Sequence, residues 1–262
     1  MKEQIIANLN QNHPWADNIL WFDTIGSTNT EAKAMAQNGA PHGTVLIAGQ
    51  QTGGRGRMGR SFCSPAGMGI YLSVILRPRC KAEELMHLTC ATAVAMCDAV
   101  EDAFGFRPGV KWINDLIAKG KKLGGILTEL AIDPRTGLAE YAIIGVGINC
   151  LQSREDFPSE LQDIAISAKD VAGGTPKPCL LACAMIRQLE IMSRQLFTQK
   201  PEMMNRYKAD CITLGQDIYL LQGDSKTACH ALDLDENGGL IVCFPDGSRQ
   251  TVSSGEVSIR PR

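Results

Sequence analysis

The sequence predicts an α+β protein, with a central mixed sheet flanked by helices and a small C-terminal β-barrel. Between residues 20 and 150, short runs rich in Ile, Val and Leu and bounded by Gly, Pro or Asp alternate with stretches of helical periodicity. After about Cys211 the texture changes to short strands and tight turns. The chain has 262 residues, 44% hydrophobic and 21% charged, enough to bury a proper core. The expected domains are 1–210 and 211–262.

Taken in order, Thr28 with Glu31 three residues on reads as a capping box before Ala32, Ala34 and Met35, with Gly39 as the stop. Strands are expected over 45–48 and 70–76. A helix over 83–104 places Leu85, Leu88, Thr92, Met96 and Val100 near helical spacing and ends before Gly105. Strands follow at 110–113, 126–132 and 141–148. A helix over 179–197 follows a Thr175-Pro176 start. The C-terminal part gives strands at 218–221, 227–234, 240–244 and 257–259, with hairpin turns at 235–239 and 245–248, where Asn and Gly tolerate positive φ.

Composition excludes several classes. A net charge of −2 gives no global field to draw the chain onto nucleic acid. No apolar run approaches the roughly 18 residues of a membrane helix. The N-terminus lacks the apolar region of a secretory signal. The ten cysteines are scattered with no C-x-x-C pair, and read as buried thiols in a cytoplasmic protein. The four histidines have no metal-ligand spacing, and no metal site is expected. There is no G-x-S-x-G elbow or Walker A loop, and the lone GxG of 145–147 is not a dinucleotide fingerprint.

Chemistry concentrates in residues 50–60, QQTGGRGRMGR. Gly53, Gly54, Gly56 and Gly59 let backbone approach an anion closely, while Arg55, Arg57 and Arg60 supply forked donors. Such a loop is expected to be loose when empty and ordered by a strongly anionic ligand such as a nucleotide or acyl adenylate. The alternative is a solvated basic loop. Lys111, between Val110 and Trp112, is drawn inward, where an ammonium needs an anionic ligand or a structural ion pair. Asn114 and Asp115 read as a turn or as ligands of a Mg-nucleotide, and Lys119, Lys121 and Lys122 as a hairpin tip. Ser27, Thr28 and Asn29 either cap a helix or bind a polar heterocycle. Asn149 closes a glycine-bearing strand.

These motifs occur in the order found in the biotin protein ligases, which the sequence resembles over nearly its whole length. The match rests on Ser27-Thr-Asn29, residues 54–60, Ser64-Pro-Ala-Gly67, Lys111-Trp-Ile-Asn-Asp115, residues 122–127 with Glu129, Gly145-Val-Gly-Ile-Asn149, and residues 255–260. The resemblance implies a class II synthetase-like catalytic domain with an SH3-like C-terminal barrel. It implies that biotin and Mg-ATP (Mg2+ included) are joined as biotinyl-5′-AMP, which then acylates a lysine of a biotin carboxyl carrier protein. It places Ser27, Thr28, Asn29, Gln51, Arg55, Gly56, Arg57 and Lys111 at biotin. Arg57, Arg60, Phe62, Lys111, Asn114, Lys122 and Asn149 fall at ATP, and Lys111, Arg55 and Arg57 carry catalysis. Phe62 stands where the family usually has Trp, and Ile113 where it has Pro. The first family motif begins at Ser27, so a ligase without DNA binding or repressor function, as monomer or homodimer, is expected. The rivals are a lipoate or octanoate ligase, whose acyl chains lack a ureido ring, and a catalytically silent sensor.

Overall fold

Two stretches, Thr44–Ala48 and Gly69–Leu76, are buried at every position, as strands are when both faces of their sheet are covered. They lie inside a seven-stranded mixed sheet in this computed structural model, which describes residues 1–9, 12–222, 225–253 and 255–259. The chain opens with α1 (Lys2–Asn8), β1 (Ile19–Phe22), α2 (Thr28–Gln37), β2 (Thr44–Ala48) and β3 (Gly69–Leu76). Next come α3 (Leu88–Phe104), β4 (Gly109–Lys111), β5 (Asp115–Ala118), β6 (Lys121–Ile132) and β7 (Ala139–Asn149). The helices α4 (Ala168–Ala172), α5 (Pro178–Gln195) and α6 (Lys200–Asp210) then lead to β8 (Asp217–Gln222), β9 (Ser225–Leu234), β10 (Leu240–Cys243), β11 (Arg249–Val252) and β12 (Glu256–Ile259).

The large sheet runs β1-β2-β3-β7-β6-β5-β4, parallel only between β1 and β2. Strand alternation divides its side chains between two layers. Ile70, Leu72, Val74, Ile144, Val146 and Ile148 enter the main core with α3 and α5. Leu46, Ile75, Tyr141 and Ile143 meet Ala32 and Ala36 of α2 on the opposite face. Because α2 is ten residues long, it covers only part of that face.

The small C-terminal sheet runs β11-β10-β9-β8-β12, all antiparallel. Among the described residues no ladder joins β11 to β12. Val252 and Val257, one on each edge strand, are nevertheless buried in one core with Ile218, Leu220, Ala231 and Val242. That core is continuous with the main one. The predicted turns at 235–239 and 245–248 do join β9 to β10 and β10 to β11. In the terminal motif 255–260, Arg260 lies outside the described residues.

Several expectations need correction. Thr28 is the first residue inside α2, not its cap, and Ser27 is the N-cap without a side-chain cap bond. The capping box is absent because the Thr28 hydroxyl bonds to Gln51 instead. The strand expected over 110–113 stops at Lys111, because the next backbone groups bond elsewhere. The Trp112 N–H donates to Thr213 Oγ1 at 2.9 Å, and the Ile113 carbonyl accepts from Tyr207 Oη at 3.0 Å. The helix expected from residue 83 begins at Leu88, since Ala82–Leu85 is a separate 3-10 turn whose Glu84 accepts the Lys81 N–H. Helix α5 starts at Pro178, a residue suited to a first helical position.

All ten cysteines are free, six of them buried, and burial lifts Cys90 and Cys150 to about 12. Among the described residues no helix is long and apolar enough to cross a membrane. The Tyr207 bond to Ile113 secures the turn between β4 and β5 from a fully buried ring. Tyr207→Phe leaves that carbonyl without a donor and is expected to cost about 1–3 kcal/mol. Urea denaturation checks this as a lower midpoint with an unchanged slope.

Candidate active site

Where α2 stops covering the sheet, the strands present few side chains. The pairing register lines up Ser73, Gly145 and Leu127 in one row, and Tyr71, Gly147, Gly125, Asp115 and Lys111 in the next. Gly145, Gly147 and Gly125 therefore form a floor with no side chains of its own. A cavity of about 270 Å³ lies above it. Side chains already occupy the space the glycines leave, since a Cβ on Gly145 would lie 1.9 Å from Asn29 Oδ1 and one on Gly147 2.5 Å from Phe62 Cε1. Four strand steps of about 4.8 Å separate β3 from β4, so the floor extends about 19 Å.

At the β3 end the chemistry is neutral and hydrogen-bonding. Gln51 Oε1 accepts from the Thr28 N–H at 2.8 Å and lies 3.0 Å from Thr28 Oγ1. Ser73 Oγ lies 2.8 Å from Thr28 Oγ1 and 2.6 Å from Asn29 Oδ1. Asn29 Nδ2 donates to Glu129 Oε2 at 2.9 Å, and Gln51 Nε2 to Ser64 Oγ at 3.0 Å. Ser27, buried and lining the cavity, has no hydrogen-bond partner for its hydroxyl among the described residues. The phenol of Tyr71 donates to Pro65 O at 3.1 Å, and burial holds its pKa well above the usual value, so it remains a neutral donor.

At the β4 end the chemistry is cationic. Lys111 lines the cavity half-buried, and among the described residues its ammonium has no ion pair or hydrogen bond. The structural ion pair considered for it goes elsewhere, since Asp115, its ladder partner, holds Lys122 Nζ at 2.6 Å. The Gly/Arg loop spans the two ends. Arg55 Nη1 lies 3.5 Å from Glu129, Arg57 donates to Asn114 Oδ1 at 2.9 Å, and Arg60 pairs with Glu256 at 2.5 Å.

The loop carries hydrogen bonds of its own. Phe62 N–H donates to Gly54 O at 2.9 Å, Gly56 N–H donates to Arg60 O at 2.7 Å, and Arg55 bridges to Ser61. Met58 and Gly59 turn the tip in the left-handed region, at φ 54° and 75°.

The cavity thus collects Ser27, Thr28, Asn29, Gln51, Arg55, Gly56, Arg57, Arg60, Phe62, Lys111, Asn114 and Lys122. It does not collect Asn149, which lies 5% exposed with its amide donating to Ile166 O and its oxygen accepting from Gln152. Sequence reasoning missed Ser73, the one serine in a wholly buried strand, and that isolation was the available signal. It also missed the C-terminal wall, where Leu221, Gly255 and Glu256 line the cavity and Gly255 O accepts from Arg57 Nη2 at 3.4 Å. Among the described residues no three His, Cys, Asp or Glu side chains are grouped to hold a metal ion.

Residues 21–149 match the Biotin/lipoate A/B protein ligase family, and residues 213–260 the Biotin protein ligase C terminal domain. Over 155 residues the chain is 42% identical to the bifunctional ligase/repressor of Bacillus subtilis, covering 59% of this chain and 47% of that one. It therefore spans about half the length of that relative. Over 239 residues it is 34% identical to the biotin–[acetyl-CoA-carboxylase] ligase of Mycobacterium tuberculosis, covering 88% and 85%. The biotin protein ligase of Aquifex aeolicus, solved with biotin and ATP, superposes with a TM-score of 0.77 at 27% identity, covering 94% and 99%.

The glycine floor gives a direct test. Gly145→Ala drives a methyl into the Asn29 amide and is expected to cost about 1–3 kcal/mol. Gly26→Ala, where nothing lies within 4 Å of the added carbon, is expected to stay within about 0.5 kcal/mol. Thermal unfolding of the pair checks both.

Proposed function

The chain belongs to the biotin/lipoate A/B protein ligase family, and within it we propose an ATP-dependent biotin protein ligase acting on a biotin carboxyl carrier protein. One observation carries the reading. A single cavity holds a hydroxyl, Ser27, among neutral hydrogen-bonding groups, and an ammonium, Lys111, among cations, both unpartnered among the described residues. A ligand with a polar, uncharged ring at one end and a carboxylate meeting a phosphate at the other matches both. The polar set argues against a lipoyl or octanoyl chain, which would leave those groups without partners.

In the first step a biotin carboxylate oxygen attacks the α-phosphorus of Mg-ATP. A carbonyl–O–P bond forms, the bond to the β-phosphate oxygen breaks, and pyrophosphate leaves. In the second step a carrier lysine, as the free amine, attacks the acyl carbon and AMP leaves. Both transition states concentrate negative charge near the carboxyl and α-phosphate, where Lys111 is free to neutralise it. Positioning supplies the rest, since neither step needs a nucleophile from the enzyme. Arg57, tied to Asn114 across the cavity, holds the loop over the intermediate and limits attack by water. Mg2+ enters with the nucleotide as part of the substrate. The ten free cysteines suit the reducing cytoplasm.

Exchange of labelled pyrophosphate into ATP tests the reading. Exchange is expected with biotin and not with lipoate or octanoate. Exchange with the other acids would move the protein to the rival ligases, and biotin binding without exchange would favour a sensor. Lys111→Ala is expected to lower the exchange rate at least about 100-fold with folding retained. Wild-type turnover in that variant would refute the assignment of Lys111. Arg57→Ala is expected to speed escape of the adenylate, read as faster loss of labelled intermediate on gel filtration.

A further inference from the structure

Glu129 is not among the cavity-lining residues, yet it holds two that are. Its Oε2 accepts from Asn29 Nδ2 at 2.9 Å, and its Oε1 lies 3.5 Å from Arg55 Nη1. A carboxylate accepts hydrogen bonds and donates none. Asn29 must therefore turn its NH2 toward Glu129 and its oxygen toward Ser73, an orientation the Leu127 carbonyl supports more weakly at 3.4 Å. Only Gly145 leaves room for that oxygen.

The protons can then be counted. Asn29 Oδ1 lies 2.6 Å from Ser73 Oγ and has no hydrogen of its own, so the Ser73 proton goes to Asn29. Thr28 Oγ1 is left with Ser73 Oγ at 2.8 Å and Gln51 Oε1 at 3.0 Å. Neither has a proton to give it, because Ser73 has spent its one hydrogen and Gln51 Oε1 has none. The Thr28 proton thus points into the protein whichever partner takes it. What the cavity meets at Thr28 is a lone pair.

We propose that Glu129 is a positioning residue that fixes this proton order, making Thr28 a hydrogen-bond acceptor that selects acids whose ring carries N–H donors. The inference deepens the biotin reading and rests on it. Replacing the carboxylate with an amide removes the constraint. Gln can donate to Asn29, Asn29 can turn over, Ser73 can donate to Thr28, and the Thr28 hydroxyl is released to donate into the cavity.

The test uses biotin and the two cyclic carbamates in which one ring N–H is replaced by an oxygen of nearly the same size. Dissociation constants are measured by calorimetry on the full chain. The wild type is expected to prefer biotin over at least one carbamate by about 100-fold or more, since a lone pair would face a lone pair. Glu129→Gln is expected to narrow that preference at least tenfold, because the freed hydroxyl can donate to the ring oxygen. Asn29→Ala cuts the same chain without touching the carboxylate and is expected to narrow it as well. It carries the test alone if Glu129→Gln does not fold. An unchanged preference in either folded variant overturns the proposal, including the case where all three ligands weaken equally, which a merely structural Glu129 would produce. A wild type that binds no biotin would instead refute the functional reading beneath it.

Discussion

The absence of a side chain at Gly145 is the constraint on which the site depends. The Asn29 amide oxygen occupies the space a Cβ would fill, 1.9 Å from its ideal position. That contact seats the N-terminus of α2 against the middle of the sheet, so that Ser27, Thr28 and Asn29 arrive beside Ser73 and Gln51. Gly147 does the same for the loop, since Phe62 rests over it and packs edge-on against Tyr71 at 6.4 Å. The neutral end of the cavity is thereby anchored on the sheet through α2 and Ser73. A site carried by rigid elements keeps its hydrogen-bond geometry better than one carried by loops.

The C-terminal sheet is part of this construction. Its core is continuous with that of the large domain. Trp112 Nε1 donates to Gly238 O at 2.9 Å from a ring 3% exposed, and Lys200 Nζ donates to Asn237 Oδ1 at 2.7 Å. The same turn that carries Lys111 and Asn114 is thus braced from the C-terminal side. Gly255 and Glu256 then receive Arg57 and Arg60 of the loop. The cavity has a floor from one sheet and part of its wall from the other.

Much of this was legible in the residues. Apolar runs bounded by turn formers marked β2, β3, β6 and β7, most clearly β2 and β3, which are buried at every position. The helices α1, α4 and α6, and the strands β1, β5 and β11, were not marked. They are short or polar, and tertiary contacts stabilise them where periodicity gives little signal. Helix α6, for instance, buries only Met203, Met204 and Tyr207. The site divides in the same way. Gly-rich and Arg-rich motifs were visible because they violate ordinary composition. Ser73 was not, since one serine in an apolar strand acquires meaning only when the register sets it beside Asn29. Glu256 lies almost two hundred residues from Arg60 in sequence, and no local pattern couples them.

The charges around the cavity are not equivalent, and pairing ranks them. Arg60 is 67% exposed and paired with Glu256, Lys122 is 40% exposed and paired with Asp115, and Arg55 is half exposed near Glu129. Exposed pairs of this kind are worth about 0–1 kcal/mol each, so an incoming phosphate can displace them at small cost, but it gains correspondingly little net attraction there. Arg57 is bonded to neutral oxygens, and turning it toward an anion exchanges neutral bonds for charge-assisted ones. Among the described residues Lys111 has no ion pair to surrender. It also stands at the end of the ladder row that contains Gly125, which adds no side chain of its own to the floor. Among the described residues, Lys111 is the one basic group on the cavity wall without a protein partner.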